Sequence, residues 1–372
     1  MTVSATLPNK HKSTIYPIQV LRAVAALLVV ADHSLVHIFS AYDLPQKYHV
    51  MAWQLGGIGV TVFFVISGFV MALTNDGNFG HKDEPLRFMI NRIVRILPLY
   101  WVMTFVAAAL FIVSASKQIS FSYLLTSMFF LVPQDATTLQ ITQPVLGPGW
   151  TLSYEMFFYV VFAFFLLLPK RAALAGFTTV MIALVIWGMS SLSSAEINNP
   201  TTRFAFYANP LLLLFVGGVW LGSAYKKYEN YFQKSQIGIV WMFATIILMT
   251  GFSWAVDKNS WPLYLQPIVF VLPLICVAVT LRCRFEPVNF TSRFAVLLGE
   301  ASYSIYLSHI IFLAVLRKVV PADLLYGTVY FFAGFIGATI TGLIIYKTIE
   351  VPLTNYIRKF IKPKPRRKVA VI

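Results

Sequence analysis

Apolar stretches of about 20 residues recur ten times along the chain, and this recurrence constrains the fold more than any motif does. A helix rising about 1.5 Å per residue needs about 20 residues to cross a hydrocarbon layer roughly 30 Å thick. Inside that layer the backbone must satisfy its own hydrogen bonds, which leaves helices or closed barrels. The runs fall at 17–39, 52–74, 93–114, 149–168, 172–191, 206–224, 237–256, 262–281, 296–316 and 325–347. Composition agrees, because 58% of the residues are hydrophobic and only 12% charged, far more apolar matter than one soluble core can hide. The sequence therefore predicts an all-α, polytopic integral membrane protein with about ten transmembrane helices.

An even number of crossings puts both termini on one side, and basic residues identify that side as the cytoplasm. Of the 29 Lys and Arg residues, all but Lys47, Lys117, Arg203, Lys258, Arg317 and Lys318 fall in segments or helix ends assignable to one face. The formal net charge of +15 then reads as a topology signal and an attraction to anionic membrane lipids, not as a nucleic-acid surface. Three regions are expected: a cytoplasmic leader at 1–16, a transmembrane domain at 17–350, and a basic cytoplasmic tail at 351–372. The first run is too long for a signal-peptide core and is expected to be retained. Cys276 and Cys283, both expected near the cytoplasmic face, suit neither a disulfide framework nor a metal cluster. Only His33, His37 and His309 fall in or near spans, with no ladder suited to haem.

Ionisable groups at membrane depth are costly, so each is a candidate for function. Of the 14 acidic residues, Asp32, Glu155, Glu300 and Glu350 lie within or beside the predicted spans. Arg22 and His33, in the stretch LRAVAALLVVADH, are eleven residues apart and so share one stripe of the first helix, separated by roughly 16 Å. That span approximates the reach of a phosphopantetheine arm, with an anionic end at the arginine and a reactive thioester at the imidazole. In RFMINRIVRILPLYW, Arg92 and Arg95 lie at i, i+3 on one face, an arrangement suited to a phosphate group. Snorkelling and positive-inside anchoring would account for these arginines singly.

Glu155 lies about two turns inside a helix opened by Gly-Pro-Gly in GPGWTLSYEMFFY, at a depth that helix rise puts near that of His33. It could orient the imidazole or act as a base itself. Trp150 and Tyr154 beside it are candidates for acceptor contact, although interface and core packing explain such aromatics equally. In GEASYSIYLSH, His309 falls at a similar depth and rivals His33, while Glu300 points the opposite way from it. Ser67 and Gly68, in FFVISGFVM, read mainly as a close helix contact, since no nucleophile elbow surrounds the serine.

Taken together, LRAVAALLVVADH, FFVISGF, RIVRILPLYW, WTLSYEMFFY, ASYSIYLSH and the closing EVP at 350–352 resemble the membrane-bound acyltransferase-3 family, especially its exopolysaccharide O-acetyltransferase branch. The resemblance spans about residues 16–355. It implies transfer of an acyl group from cytoplasmic acyl-CoA, most often acetyl-CoA, to a hydroxyl of an exopolysaccharide, surface glycan or lipid-linked saccharide at the bacterial inner membrane. Carried over, the basic residue and histidine with ten positions between them are Arg22 and His33, and the R-x-x-R pair is Arg92 and Arg95. The resemblance makes His33 the catalytic histidine and the arginines coenzyme contacts. Tyr154 stands where a second acidic residue is often expected, which puts in doubt any mechanism needing paired carboxylates there. The residues leave direct transfer and an acyl-enzyme equally open. A glycolipid transporter or flippase is the alternative, disfavoured by the absence of an internal repeat.

Overall fold

In the computed structural model, the described residues are 14–41, 45–114, 119–134, 140–228, 231–232, 234–235, 237–255, 266–320 and 327–361. The basic tail beyond residue 361 and most of the leader lie outside them. The described chain is helical apart from turns and isolated bridges. In order come α1 (Tyr16–Ala41), α2 (Gln46–Thr74), α3 (Glu84–Val113), the short α4 (Phe121–Met128), α5 (Gly149–Phe165) and α6 (Lys170–Ser191). They are followed by the short α7 (Ser194–Asn198) and α8 (Arg203–Tyr207), then α9 (Leu212–Lys227), α10 (Gly238–Ala255) and α11 (Gln266–Leu281). The chain continues with α12 (Phe290–Glu300), α13 (Ser302–Val319) and α14 (Gly327–Ile345), and a π-helical turn (Tyr346–Glu350) leads into α15 (Val351–Phe360).

Each of the ten predicted runs overlaps these helices, with 256, 262–265 and 325–326 lying outside the described residues, but length qualifies fewer of them as crossings. Among the described residues, six helical segments are long and apolar enough to cross a membrane, and α12 with α13 makes a seventh if that pair, bent by 72°, is one span. The remaining three, within α5, α10 and α11, are shorter. The 17 residues of α5 reach only about 26 Å. Pro148 occupies its N-cap position. Between α3 and α5 the described residues carry α4 and then pack inward. Val145 and Leu146 are buried, and Tyr123 donates to the Gln143 carbonyl at 2.6 Å.

The interior is built around α1 and α2. α1 packs on α2, α12, α13 and α14, and α2 also packs on α9. The α2 and α9 backbones come close enough to interlock, because a Cβ at Gly68 would lie 2.1 Å from the Phe215 carbonyl oxygen. Glycine is thus required there by contact rather than by its torsion angles. Aromatic stacking fills the adjoining core: Phe64 and Phe158 stack on Phe215 with centroids 4.5 and 4.3 Å apart. The exposed apolar residues of α6, α10 and α14, among them Trp187, Trp241 and Phe332, suit a lipid-facing perimeter.

Candidate functional site

A cavity of about 1350 Å³ opens at the end of the bundle where α1 begins, α2 ends and α3 begins. Arg22, Arg92 and Arg95 all line it. α1 delivers Arg22 one and a half turns from its start, and α3 delivers the other two from successive turns of one face. The Arg22 guanidinium donates to Gln19 Oε1 at 3.3 Å and lies within electrostatic reach of Arg95, Glu350 and Glu155. Arg92 is 8% exposed, and its guanidinium sits over the rings of Tyr159 and Phe88 at 5.2 and 5.4 Å from their centroids. Such stacking fixes the plane of the fork and leaves its N–H groups for an anion. The rest of the lining mixes signs, with Lys82, Arg87 and Lys226 beside Asp76, Asp83 and Glu84, and Arg87 is paired with Glu84 at 2.6 Å.

Glu155 also lines this cavity. Ser67 donates to its Oε1 at 2.6 Å, Tyr159 donates to the same oxygen, and the two hydroxyls are 3.2 Å apart. Glu155 thus joins α2 to α5 on the arginine side, and the expected contact with His33 is replaced by this pair of hydroxyls. Helix rise placed the two residues at similar depth but could not tell which way either pointed. Ser67 therefore does more than allow close packing, while its neighbour Gly68 forms the helix contact. Ser302 adds another polar group to the wall, with a buried Oγ that has no partner among the described residues.

The cavity ends at Val60, Phe63, Thr151 and Tyr306. The Tyr306 hydroxyl lies 2.8 Å from Thr151 Oγ1 and donates to the Pro148 carbonyl at 3.3 Å, which ties α13 to the start of α5. His309 follows one turn along α13, its ring 6.0 Å from that of Tyr306. His33 meets His309 edge to face, with centroids 4.9 Å apart. The two histidines that competed in the sequence are thus neighbours, but neither lines the cavity. His33 contacts Val29 and Asp32 through Nδ1, while both ring nitrogens of His309 are buried with no hydrogen-bond partner among the described residues.

The aromatic candidates separate. Trp150 is partly buried at the first turn of α5, 5.9 Å from the Tyr154 ring. Tyr154, expected at the acceptor, is 1% exposed and stacked on Phe206 at 4.0 Å, so its surroundings are those of a core residue. Glu350, which the sequence marked only as an acid at a span edge, accepts from Ser304 at 2.5 Å and lies near Arg22 and Arg95. Tyr159 carried no signal of its own, since an aromatic four residues beyond an acid is common packing in a membrane helix. Among the described residues, no cluster of His, Cys, Asp and Glu suits a metal ion.

Comparison with known proteins places this geometry in a family. Residues 15–347 match the acyltransferase-3 model, described as an acyltransferase domain. The chain is 30% identical over 309 residues to the exopolysaccharide production protein ExoZ of Rhizobium meliloti (strain 1021), covering 81% of this chain and 90% of that protein. It is 26% identical over 240 residues to the O-acetyl transferase of Shigella phage Sf6, covering 62% and 67% of the two chains. It is also 32% identical over 155 residues to the acyltransferase MdmB of Streptomyces mycarofaciens, covering 41% and 39%. No solved structure matches. With the family match reaching from the start of α1 to the π-helical turn, the chain belongs to the acyltransferase-3 family and is a multi-pass membrane O-acyltransferase.

Proposed function

We propose that this enzyme takes an acyl group, acetyl in the first instance, from cytoplasmic acyl-CoA and transfers it to a hydroxyl of an exopolysaccharide, surface glycan or lipid-linked saccharide precursor in the bacterial inner membrane. The observation that carries the reading is the convergence of Arg22, Arg92 and Arg95, from two helices, on one large cavity. Three guanidinium groups around one volume suit a polyanion, and the coenzyme A moiety presents several phosphates. The unpaired Ser302 Oγ in the same wall favours a polar occupant.

In this reading the nucleotide end stays with the arginines, and the pantetheine arm runs inward past Glu155 toward Tyr306. His33 acts on the acceptor hydroxyl, as base or as acyl carrier. Glu155, Ser67 and Tyr159 form a hydrogen-bonded group along the arm and hold a fixed negative charge close to Arg22. Tyr306 and Thr151 stand between the arm and the histidines, so the thioester reaches His33 only if their contact opens. His309 packs against His33 and faces the acceptor side, with Trp150 nearby at the head of α5. The acceptor class rests on similarity to the exopolysaccharide production protein.

The test compares the surface and secreted polysaccharide of the host with and without this gene by mass spectrometry. Loss of an acyl substituent on deletion, restored by the intact gene and not by His33→Ala, is the expected result. A glycan of unchanged acylation, together with purified protein that does not bind acetyl-CoA, would overturn the proposal.

A further inference from the structure

Asp32 has no part in the scheme above, yet it is the most buried acid among the described residues. Its side chain is 5% exposed against 34% for the adjacent His33, so the acid is sealed in while the imidazole remains reachable. The ion-pair partner that the structure gives this carboxylate is His33, with Oδ2 3.4 Å from Nδ1, and Oδ1 is buried without a hydrogen-bond partner among the described residues. The placement is built into the packing of α1 on α2, because a Cβ at Gly56 would lie 2.1 Å from Oδ2. Only a glycine at that position lets the carboxylate lie flat between the two helices.

The imidazole is fixed from a second direction. Nδ1 lies 3.0 Å from the Val29 carbonyl, an atom that can only accept. Hydrogen on Nδ1 therefore satisfies the carbonyl, with the Asp32 carboxyl oxygen 3.4 Å from the same nitrogen, and leaves the lone pair on Nε2. A neutral histidine with this arrangement is a base or nucleophile at Nε2, with a buried anion beside it to stabilise positive charge as that charge develops.

We propose that Asp32 is a positioning residue of the transfer reaction, holding His33 as the Nδ1–H tautomer and stabilising its imidazolium. This rests on the assignment of His33 to the chemistry. When His33 acts as base, Nε2 takes the proton of the acceptor hydroxyl, whose oxygen bonds the thioester carbonyl carbon. The carbon–sulfur bond then breaks, and the proton passes from the imidazolium to the leaving thiolate. Asp32 touches neither substrate.

The experiment uses the full-length protein in lipid nanodiscs, with acetyl-CoA and the host's deacylated polysaccharide. Asp32→Asn preserves shape and removes the charge. The expected result is a fall in kcat on the order of 10²-fold or more, with donor KM within about twofold and an unchanged folded yield. Nitrogen-15 NMR of histidine-labelled protein, with the His33 signals assigned by their loss in His33→Ala, should show hydrogen on Nδ1 in the native chain. Gly56→Ala offers a second route, because the added methyl displaces the carboxylate without removing it, and kcat should fall similarly. Native kcat in Asp32→Asn, a fall in folded yield alone, or an Nε2–H tautomer in the native chain would each overturn the assignment to Asp32 while leaving His33 in place. Full activity in His33→Ala would instead overturn the reading on which it rests.

Discussion

Replacing Arg92 by alanine tests the donor cavity most directly, because the structure isolates what the side chain does. It is 8% exposed, its one long hydrogen bond is to Thr74 Oγ1 at 3.5 Å, and its guanidinium rests on Tyr159 and Phe88. Desolvated cation–π contacts contribute about 2 kcal/mol or more, so the melting temperature should fall, while the protein should still be extracted as a monodisperse species. A hydrogen bond to a charged group contributes about 1.5–3 kcal/mol net, and about 1.4 kcal/mol is a factor of ten. The dissociation constant for acetyl-CoA should therefore rise roughly 10- to 150-fold. Arg92→Lys keeps the charge but not the planar stack and should fall between the two. Calorimetric titration of detergent-purified protein with acetyl-CoA measures both. Arg293→Ala, in a side chain on α12 that bonds the Pro287 carbonyl and does not line the cavity, serves as the control and should leave affinity unchanged. Native affinity in both Arg92→Ala and Arg95→Ala would refute the placement of the coenzyme phosphates.

Three further outcomes follow from the same contacts. Glu155→Gln retains an oxygen for Ser67 and Tyr159 but removes the charge near Arg22, and steady-state assays should show kcat lowered by at least about 10-fold with the melting temperature little changed. His33→Ala should lower transfer by roughly 10²–10⁴-fold while donor binding persists, whereas His309→Ala, in a side chain with no exposed surface, should act first on thermal stability; an active His33→Ala beside an inactive His309→Ala reverses these roles. Gly68→Val drives a side chain into the Phe215 carbonyl and should destabilise the α2–α9 contact by about 1–3 kcal/mol or more, read as a lower melting temperature in size-exclusion thermal assays.

The helices were legible because each is a local pattern: an apolar run of sufficient length declares itself whatever it packs against. Their status as crossings was less so. α5 reads as a full span by composition, but its helix runs only from Gly149 to Phe165. Periodicity likewise placed Arg92 beside Arg95 and Arg22 in line with His33, since these relations lie within one helix. Relations between helices carried no comparable signal. Glu155 and His33 matched in depth, yet the rotation of α5 turned the acid toward Ser67 and Tyr159. His309 was set against His33 as an alternative, and the packing of α13 on α1 made them neighbours instead. Asp32 was visible as a costly acid next to a histidine, but its orientation depends on the missing side chain at Gly56, a residue on another helix.

The partition at Tyr306 links these two levels of description. On one side lie the arginines, Glu155 and Ser67, and on the other the histidine pair, so the groups suited to hold a coenzyme and those suited to act on a hydroxyl do not share an open space. A hydroxyl–hydroxyl contact of 2.8 Å and one bond to the Pro148 carbonyl hold the barrier. Single hydrogen bonds of this kind contribute about 0.5–1.5 kcal/mol each, little against the binding energy available from several phosphate contacts. Under the proposed function, a donor seated on the arginines would supply the energy that moves Tyr306, and the arginines would then couple acceptor chemistry at His33 to the presence of a donor.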